Sequence, residues 1–401
     1  MNVLFIASMP VTSLYDRGIF PDLVREFASR GHTVYAVSAC ERREGRSTSF
    51  SREENVFFLQ VRTLNNRRVT FIEKGLAVVT TPFLLGRAIT KHLKGSHIDL
   101  IIYSTPPITI YPLIASLKKR FRAPTYLILK DIWPQAMIDL SVIKKGGLSC
   151  RVFEWQAKKL YSVSDFIGTM SAGNSALLLK LYPHIPGDKV EVCPNSAEPS
   201  VVEDLPATEK KKLLEGYGVP EGAVVFSYGG SFNKPQGIPF LVEVLEFWFN
   251  DDRVFFFLCG AGTDYCLVED WYRSHQPRNV ILLPYLSKEE YFDLLRISDV
   301  GLVFLDSRFT VPNMPSRALD YMEFSLPIIA AVDDHTDFRA IIEEGGFGLG
   351  SIAGDLQDFR SNFEQMFDES ARKEMGIAGR RYLEQHWTTS VACDVVLRHF
   401  T

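Results

Sequence analysis

The segment from Pro315 to Ala331 carries the residue types needed to hold an anion beside a polyol. A Met-Pro-Ser turn opens a short helix, Asp320 falls in its second turn, and Pro327 leads into an apolar β-branched run. Such a helix start, with Ser316 and Arg317 at its mouth, aims backbone N–H groups and positive dipole at an anion. An acid one turn further in accepts hydrogen bonds from hydroxyl groups. A diphosphate joined to a ribose satisfies both ends. An ordinary crossover with a solvated Asp is written in the same letters.

Three further features fall at strand-to-loop junctions, where open α/β sheets bind ligands. Arg17-Gly18 opens a helix after the first strand, and glycine there lets backbone approach an anion. Tyr228 to Gly237 is a glycine-rich loop in which Gly230 allows tight turning and Ser231 or Lys234 can meet phosphate. It matches neither the dinucleotide fingerprint nor a P-loop. Lys130-Asp131, followed by Ile132-Trp133-Pro134, places opposite charges at a strand end; a surface ion pair with Trp133 packed beneath is the plainer reading.

These residues are positioned by alternating strands and helices, the pattern of parallel α/β sheets. In the first half the expected strands are Val3–Ala7, Thr33–Ser38, Val56–Val61, Leu100–Tyr103, Thr125–Leu129, Phe166–Thr169 and Val190–Cys193. Gly18–Arg30 reads as a helix, and Phe71–Leu93 as a long helical stretch kinked or interrupted at Pro82. Residues 197–220 shift to Glu, Pro, Lys and Gly and read as a linker. A second series follows, with strands at Val224–Tyr228, Val254–Cys259, Val280–Leu283, Val300–Leu305 and Ile328–Val332. The expected organisation is a first domain over 1–196, a linker over 197–220 and a second domain over 221–387. The last helix, about 388–401, is placed to pack back onto the first domain.

At 401 residues the chain is long enough for two such domains. Six scattered cysteines, without CxxC or His/Cys spacing, read as reduced thiols in a cytoplasmic protein with no zinc site. The apolar start Met1–Ala7 reads as a strand rather than a signal peptide. The net charge of −4 conceals an asymmetry: residues 1–198 carry 26 Lys and Arg against 16 Asp and Glu, and the remainder 18 against 32. A basic half predicts an anionic partner: nucleic acid, a phospholipid surface or a phosphorylated substrate. No recognisable nucleic-acid module accompanies the basic residues. Arg62, Arg67, Arg68, Lys74, Arg87, Lys91 and Lys94 surround the apolar run Val69–Leu93, which fits a peripheral membrane helix or a core helix with a solvated basic face.

Taken together, tandem α/β units, Pro194-Asn195-Ser196, Gly229–Gly237, Gly260-Ala261-Gly262 and Pro315–Pro327, in this order, resemble the GT-B glycosyltransferases. The likeness is to the retaining family-4 group. Ser104-Thr105-Pro106-Pro107 and Asp131-Ile132-Trp133-Pro134 resemble its branch that builds bacterial surface polysaccharides, which includes aminosugar transferases. The resemblance implies two Rossmann-like domains facing across a cleft, the second binding a nucleotide-diphosphate sugar and the first a saccharide or polyprenyl-diphosphate-linked acceptor. It implies no cofactor and no metal, and a cytoplasmic enzyme, peripheral on the inner face of the membrane.

By the same resemblance Asp320 corresponds to the second acid of the E-x7-E motif, which binds ribose. The first acid would fall at Pro312, so main-chain N–H groups at Asn313 and Met314 are the expected substitutes. The family's phosphate-binding Arg and Lys would fall near Ser231 and Gln236, leaving Lys234 and Arg317, with Arg17-Gly18, Gly230, Gly262 and the amides near Ser316, to hold the donor. Lys130 and Asp131 take the catalytic position beside the transferred sugar or acceptor hydroxyl, and Thr105, Pro106 and Trp133 the acceptor side. Relatives carry glycine where this chain has Ser325. A nucleotide-sugar 2-epimerase and a non-catalytic partner in a polysaccharide assembly complex are the alternatives.

Overall fold

The computed structural model describes every residue except Arg67, Arg68, Asp204 and Thr401. Two members of the basic set near Val69–Leu93, one residue of the segment expected as linker and the last residue of the segment expected as the final helix therefore lie outside the described residues.

Two compact units make up the chain: Met1–Glu198 with Thr389–Thr401, and Pro199–Thr388. The first contains β1 (Asn2–Ile6), α1 (Ile19–Ser29), β2 (Thr33–Glu41), β3 (Ser49–Glu53), β4 (Val56–Thr63), α2 (Phe71–His92), β5 (Leu100–Ser104), α3 (Tyr111–Phe121), β6 (Thr125–Ile128), α4 (Gln135–Asp139), α5 (Leu148–Val163), β7 (Phe166–Thr169), α6 (Ala172–Leu181) and β8 (Val190–Val192). Its sheet runs β3-β4-β2-β1-β5-β6-β7-β8, with β3 antiparallel to β4 and the other pairings parallel. Val3, Leu4, Phe5 and Leu100 to Ile102 are wholly buried, because helices on both faces demand unbroken apolar strands.

The second unit contains α7 (Ala207–Gly216), β9 (Val224–Ser231), α8 (Ile238–Phe247), β10 (Val254–Ala261), α9 (Tyr265–His275), β11 (Val280–Leu283), α10 (Lys288–Arg296), β12 (Val300–Phe304), α11 (Arg317–Glu323), β13 (Ile328–Val332), α12 (Phe338–Glu344), β14 (Gly348–Ile352), α13 (Leu356–Glu364) and α14 (Glu369–His386). Its parallel sheet runs β11-β10-β9-β12-β13-β14. The final helix, α15 (Thr389–Leu397), belongs to the first unit. There Cys393 and Val396 join the core that holds Phe20 and Phe27 of α1.

In each unit the chain begins mid-sheet, winds outward one way and returns to wind the other. The reversal falls between β1 and β5, and between β9 and β12. At such a switch point the loops diverge and leave room for a ligand beyond the strand C-termini.

Several elements differ from the sequence reading. The segment taken as linker contains α7, whose side chains are not buried. The exposed strand β3 and the glycine-rich β14 were missing from it because neither carries the apolar alternation of a half-buried strand. Helix α2 continues through Pro82. Proline leaves the carbonyl four residues earlier without its helical donor. Here the Thr109 hydroxyl donates to that Val78 carbonyl at 3.0 Å.

Candidate functional site

Three loops at the switch point of the second unit are bonded into one frame. The β9 loop passes so close to the end of β12 that a Cβ on Gly237, whose φ is 56°, would lie 2.6 Å from the Leu305 carbonyl oxygen. The Asp306 amide donates to Pro235 O at 3.0 Å. The β10 loop is tied in by the Asp264 amide on Phe232 O (2.8 Å) and the Thr263 amide on Asn233 Oδ1 (3.0 Å). Gly262 is needed for this contact, since a Cβ there would come 2.2 Å from the Phe232 backbone.

Arg317 enters this frame from α11. It is 9% exposed, and its guanidinium lies 4.1 Å from the Tyr228 ring centroid. Nη2 donates to Gln236 Oε1 at 2.5 Å and to Ser231 O at 3.4 Å, and lies 3.9 Å from where a Cβ on Gly230 would be. Nη1 is buried with no hydrogen-bond partner among the described residues. The two positions where the resembling family places basic residues, near Ser231 and Gln236, are thus both reached by one cation from another element. Lys234 and Ser316 are exposed beside it.

Helix α11 begins at Arg317 and has 7 residues, so Asp320 lies in its first turn, not its second. So short a helix sums few peptide dipoles. Positive charge here comes chiefly from the arginine. Asp320 Oδ1 is 2.6 Å from Lys288 Nζ. The sequence reading missed Lys288; it is the first residue of α10, behind the Ser287–Glu290 capping box, and only the fold brings it to Asp320. The far end of α11 closes with Ser325 at φ 53°, Leu326 N donating to Tyr321 O (2.9 Å) and Ser325 N to Met322 O (3.2 Å). That is a Schellman motif with serine in the left-handed position.

The expectation that the Asn313 amide faces a sugar is corrected. It donates to Thr336 Oγ1 at 3.2 Å, while that hydroxyl donates back to Asn313 O at 2.8 Å. Met314 is 6% exposed. Asp333, also missed, sits 2% exposed at the end of β13, and its Oδ1 accepts from the His335 and Thr336 amides. Burial pushes its carboxyl up to about 6.

In the first unit, Arg17 and Gly18 face an anion of the chain's own. Asp22 is 1% exposed; its Oδ1 accepts from the Gly18 amide at 3.3 Å and lies 3.7 Å from Arg17 Nε. Arg17 Nη2 donates to Glu198 O at 2.8 Å. Lys130 and Asp131 are half-buried at the end of β6, and Lys130 Nζ donates to Asn195 Oδ1 at 2.5 Å. Burial lowers the lysine to about 8 and raises the aspartic acid to about 6, against a smaller opposing pull from each on the other. Two groups that titrate on either side of neutrality can pass a proton.

Thr105 does not reach an acceptor, because it is wholly buried. Instead Ser104 and Pro107 line a cavity of about 360 Å³ at the β1/β5 switch point. Ser8 closes one side, its amide on Ser104 Oγ at 2.8 Å, and Glu41, Arg43, Glu44 and Asn66 bring polar groups. Pro106 is exposed outside this lining. Trp133 packs edge-on against Phe153, with centroids 5.6 Å apart, and is likewise absent from the lining. Among the described residues no group of three or more His, Cys, Asp or Glu could hold a metal ion.

No protein-family model matches the chain. It is 24% identical over 402 residues to the probable glycosyltransferase WbjE of Pseudomonas aeruginosa, covering 97% of this chain and 93% of that one. Among solved structures it resembles the Escherichia coli trehalose-6-phosphate protein bound to UDP-2-fluoro glucose, with TM-score 0.73, 13% identity and coverage of 99% and 98%. It also resembles WaaG, a glycosyltransferase involved in lipopolysaccharide biosynthesis, with TM-score 0.62, 13% identity and coverage of 98% and 99%. Two doubly wound units and these neighbours give the chain the GT-B fold, and along nearly its whole length it is similar to a probable glycosyltransferase.

Proposed function

We propose that the protein moves a sugar, with retention at the anomeric carbon, from a nucleotide-diphosphate donor to a saccharide or lipid-linked saccharide in surface-polysaccharide synthesis. This is the reaction of the family-4 group that the sequence resembles. The observation that carries it is Arg317, buried, stacked on Tyr228 and bonded to the β9 loop, with Nη1 still unpartnered. Nothing in a structural core requires a cation with a spare donor, and a diphosphate supplies the acceptor. Asp320 then takes the ribose hydroxyls, displacing Lys288, which is released to join Lys234 on the phosphates. The neighbour solved with UDP-2-fluoro glucose supports a nucleotide sugar as donor.

The chemical task is to stabilise the departing diphosphate. Fixed cations held in a bonded frame do so without reorganising during the reaction. Arg317 is the cation so held, and Lys288 and Lys234 add charge once the donor is bound, so no metal is required. The acceptor lies in the first unit's cavity, and Lys130 with Asp131 handles the proton of its hydroxyl. Among the described residues no helix is long and apolar enough to cross a membrane. The basic first half is read as holding the enzyme on the inner, anionic face of the membrane; equal binding to neutral and anionic vesicles would contradict that.

The test is transfer from a panel of UDP- and GDP-sugars in EDTA, with the product anomer read by NMR. Transfer with retention in the chelator is expected. Loss of activity with EDTA, or inversion, overturns the corresponding part of the mechanism. Epimer or UDP release without acceptor would identify a 2-epimerase instead.

A further inference from the structure

Helices α2, α3 and α5 of the first unit present an outward face with unusual chemistry. Leu76, Val79 and Phe83 on α2 are 55%, 71% and 69% exposed, and Leu148, Val152 and Trp155 on α5 are 82%, 48% and 53% exposed. The spacings i, i+3, i+7 and i, i+4, i+7 set each trio along one side of its helix. Helix α3 contacts both, and Tyr111 of α3 meets Trp155 edge-on at 6.2 Å. The only acids in the three helices are Glu73 and Glu154, whereas the same helices carry Arg87, Lys91, Lys119, Arg120, Arg151 and Lys158, all exposed. An apolar face framed by one sign of charge complements an anionic amphiphile.

Between α2 and α3 this face opens into a groove of about 570 Å³. Val79, Pro82, Phe83, Leu113 and Leu117 line it, and Arg87 and Arg120 stand along it. Pro82 and its neighbour Val78 also line the polar cavity at the β1/β5 switch point. Groove and cavity therefore share α2 as their wall. At that wall the Val78 carbonyl released by Pro82 is taken by Thr109, so no bare acceptor from that break faces an apolar occupant.

We infer that the α2–α3 groove holds the hydrocarbon chain of a lipid phosphate, with the phosphate at Arg87 and Arg120. This lipid is the anchor of an acceptor whose saccharide enters the adjoining cavity. Only the word acceptor rests on the glycosyl-transfer reading; the lipid site itself does not.

Calorimetric titration of the full chain with monomeric farnesyl phosphate tests it, beside inorganic phosphate and phosphatidylglycerol vesicles. Saturable one-to-one binding of farnesyl phosphate is expected, with none of inorganic phosphate at the same concentration. Val79→Asp with Phe83→Asp should weaken it about tenfold or more, the loss of a few buried methylenes. Arg87→Glu with Arg120→Glu should weaken it as well. All four side chains are exposed, so an unchanged melting temperature verifies the fold of each variant. Absent binding, binding unchanged in the Val79/Phe83 variant, equal binding of inorganic phosphate, or binding to vesicles alone each overturns the proposal. Intact lipid binding in a protein that transfers no sugar from any donor would instead overturn the glycosyl-transfer reading and leave the groove standing.

Discussion

Between β9 and β12 the switch point is closed by three loops bonded to one another and threaded by Arg317. Between β1 and β5 the same topological position opens into a cavity of about 360 Å³ beside an apolar, basic helix face. One winding order thus supports two kinds of site. The closed frame fixes a cation and an acid at set positions, which suits a small ligand of constant shape such as a nucleoside diphosphate. The open cavity with side chains from several loops suits a ligand that differs from one enzyme to the next. The contrast teaches that preorganised charge and adjustable shape can be assigned to separate units of one chain.

Removing the charge from the closed site should have the largest effect. Arg317→Met should lower kcat/KM by about 10²–10³-fold, the usual cost of losing one transition-state donor. Steady-state kinetics check this, and a change under tenfold would return Arg317 to a purely structural role. Filling the open site should act differently. Ala39, which lines the cavity, changed to Leu should raise the acceptor KM about tenfold and leave donor binding unaltered. An equal effect on donor and acceptor would erase the distinction between the units.

A smaller effect concerns Asp131. Its folded pKa of about 6 lies above the ordinary 3.8, so holding it ionised costs stability; the cost is full above pH 6 and vanishes below about 4. Asp131→Asn should therefore raise the melting temperature near pH 7.5, by up to about 2 kcal/mol of stability, while lowering kcat. The gain should close as pH falls from 6 toward 4. A destabilised variant at pH 7.5 would show that the carboxylate supports the fold. The smallest change is Ser325→Gly, which removes the left-handed strain at the end of α11 and should stabilise by about 1 kcal/mol in thermal unfolding.

Legibility in the sequence follows the same division. The alternating apolar runs announce both sheets, because fully buried parallel strands leave no other pattern. The glycine-rich turn after β9 was legible too, since the Gly229-Gly230 pair marks tight turning, whereas Gly262 entered through the family resemblance. Lys288 was not, because it meets Asp320 across 32 residues and carries only an ordinary capping box. Both Ser104 and Thr105 are buried, but only Ser104 lines the cavity; the turn of the loop at the end of β5 sets this, and a run of Ser-Thr-Pro-Pro does not encode which hydroxyl faces the cavity. The run that becomes α2 left a peripheral membrane helix and a core helix both open, because apolar residues at helical spacing look the same on either side of a helix.

On the proposed function, the closed frame of the second unit binds the diphosphate of a nucleotide sugar. Calorimetric titration of the full chain with UDP and GDP, repeated on Arg317→Met, tests it most directly. Saturable one-to-one binding of one of the two nucleotides is expected, weakened about tenfold or more in the variant, the scale of a lost charge-assisted hydrogen bond. Affinity for neither nucleotide, or equal affinity in the variant, would contradict it.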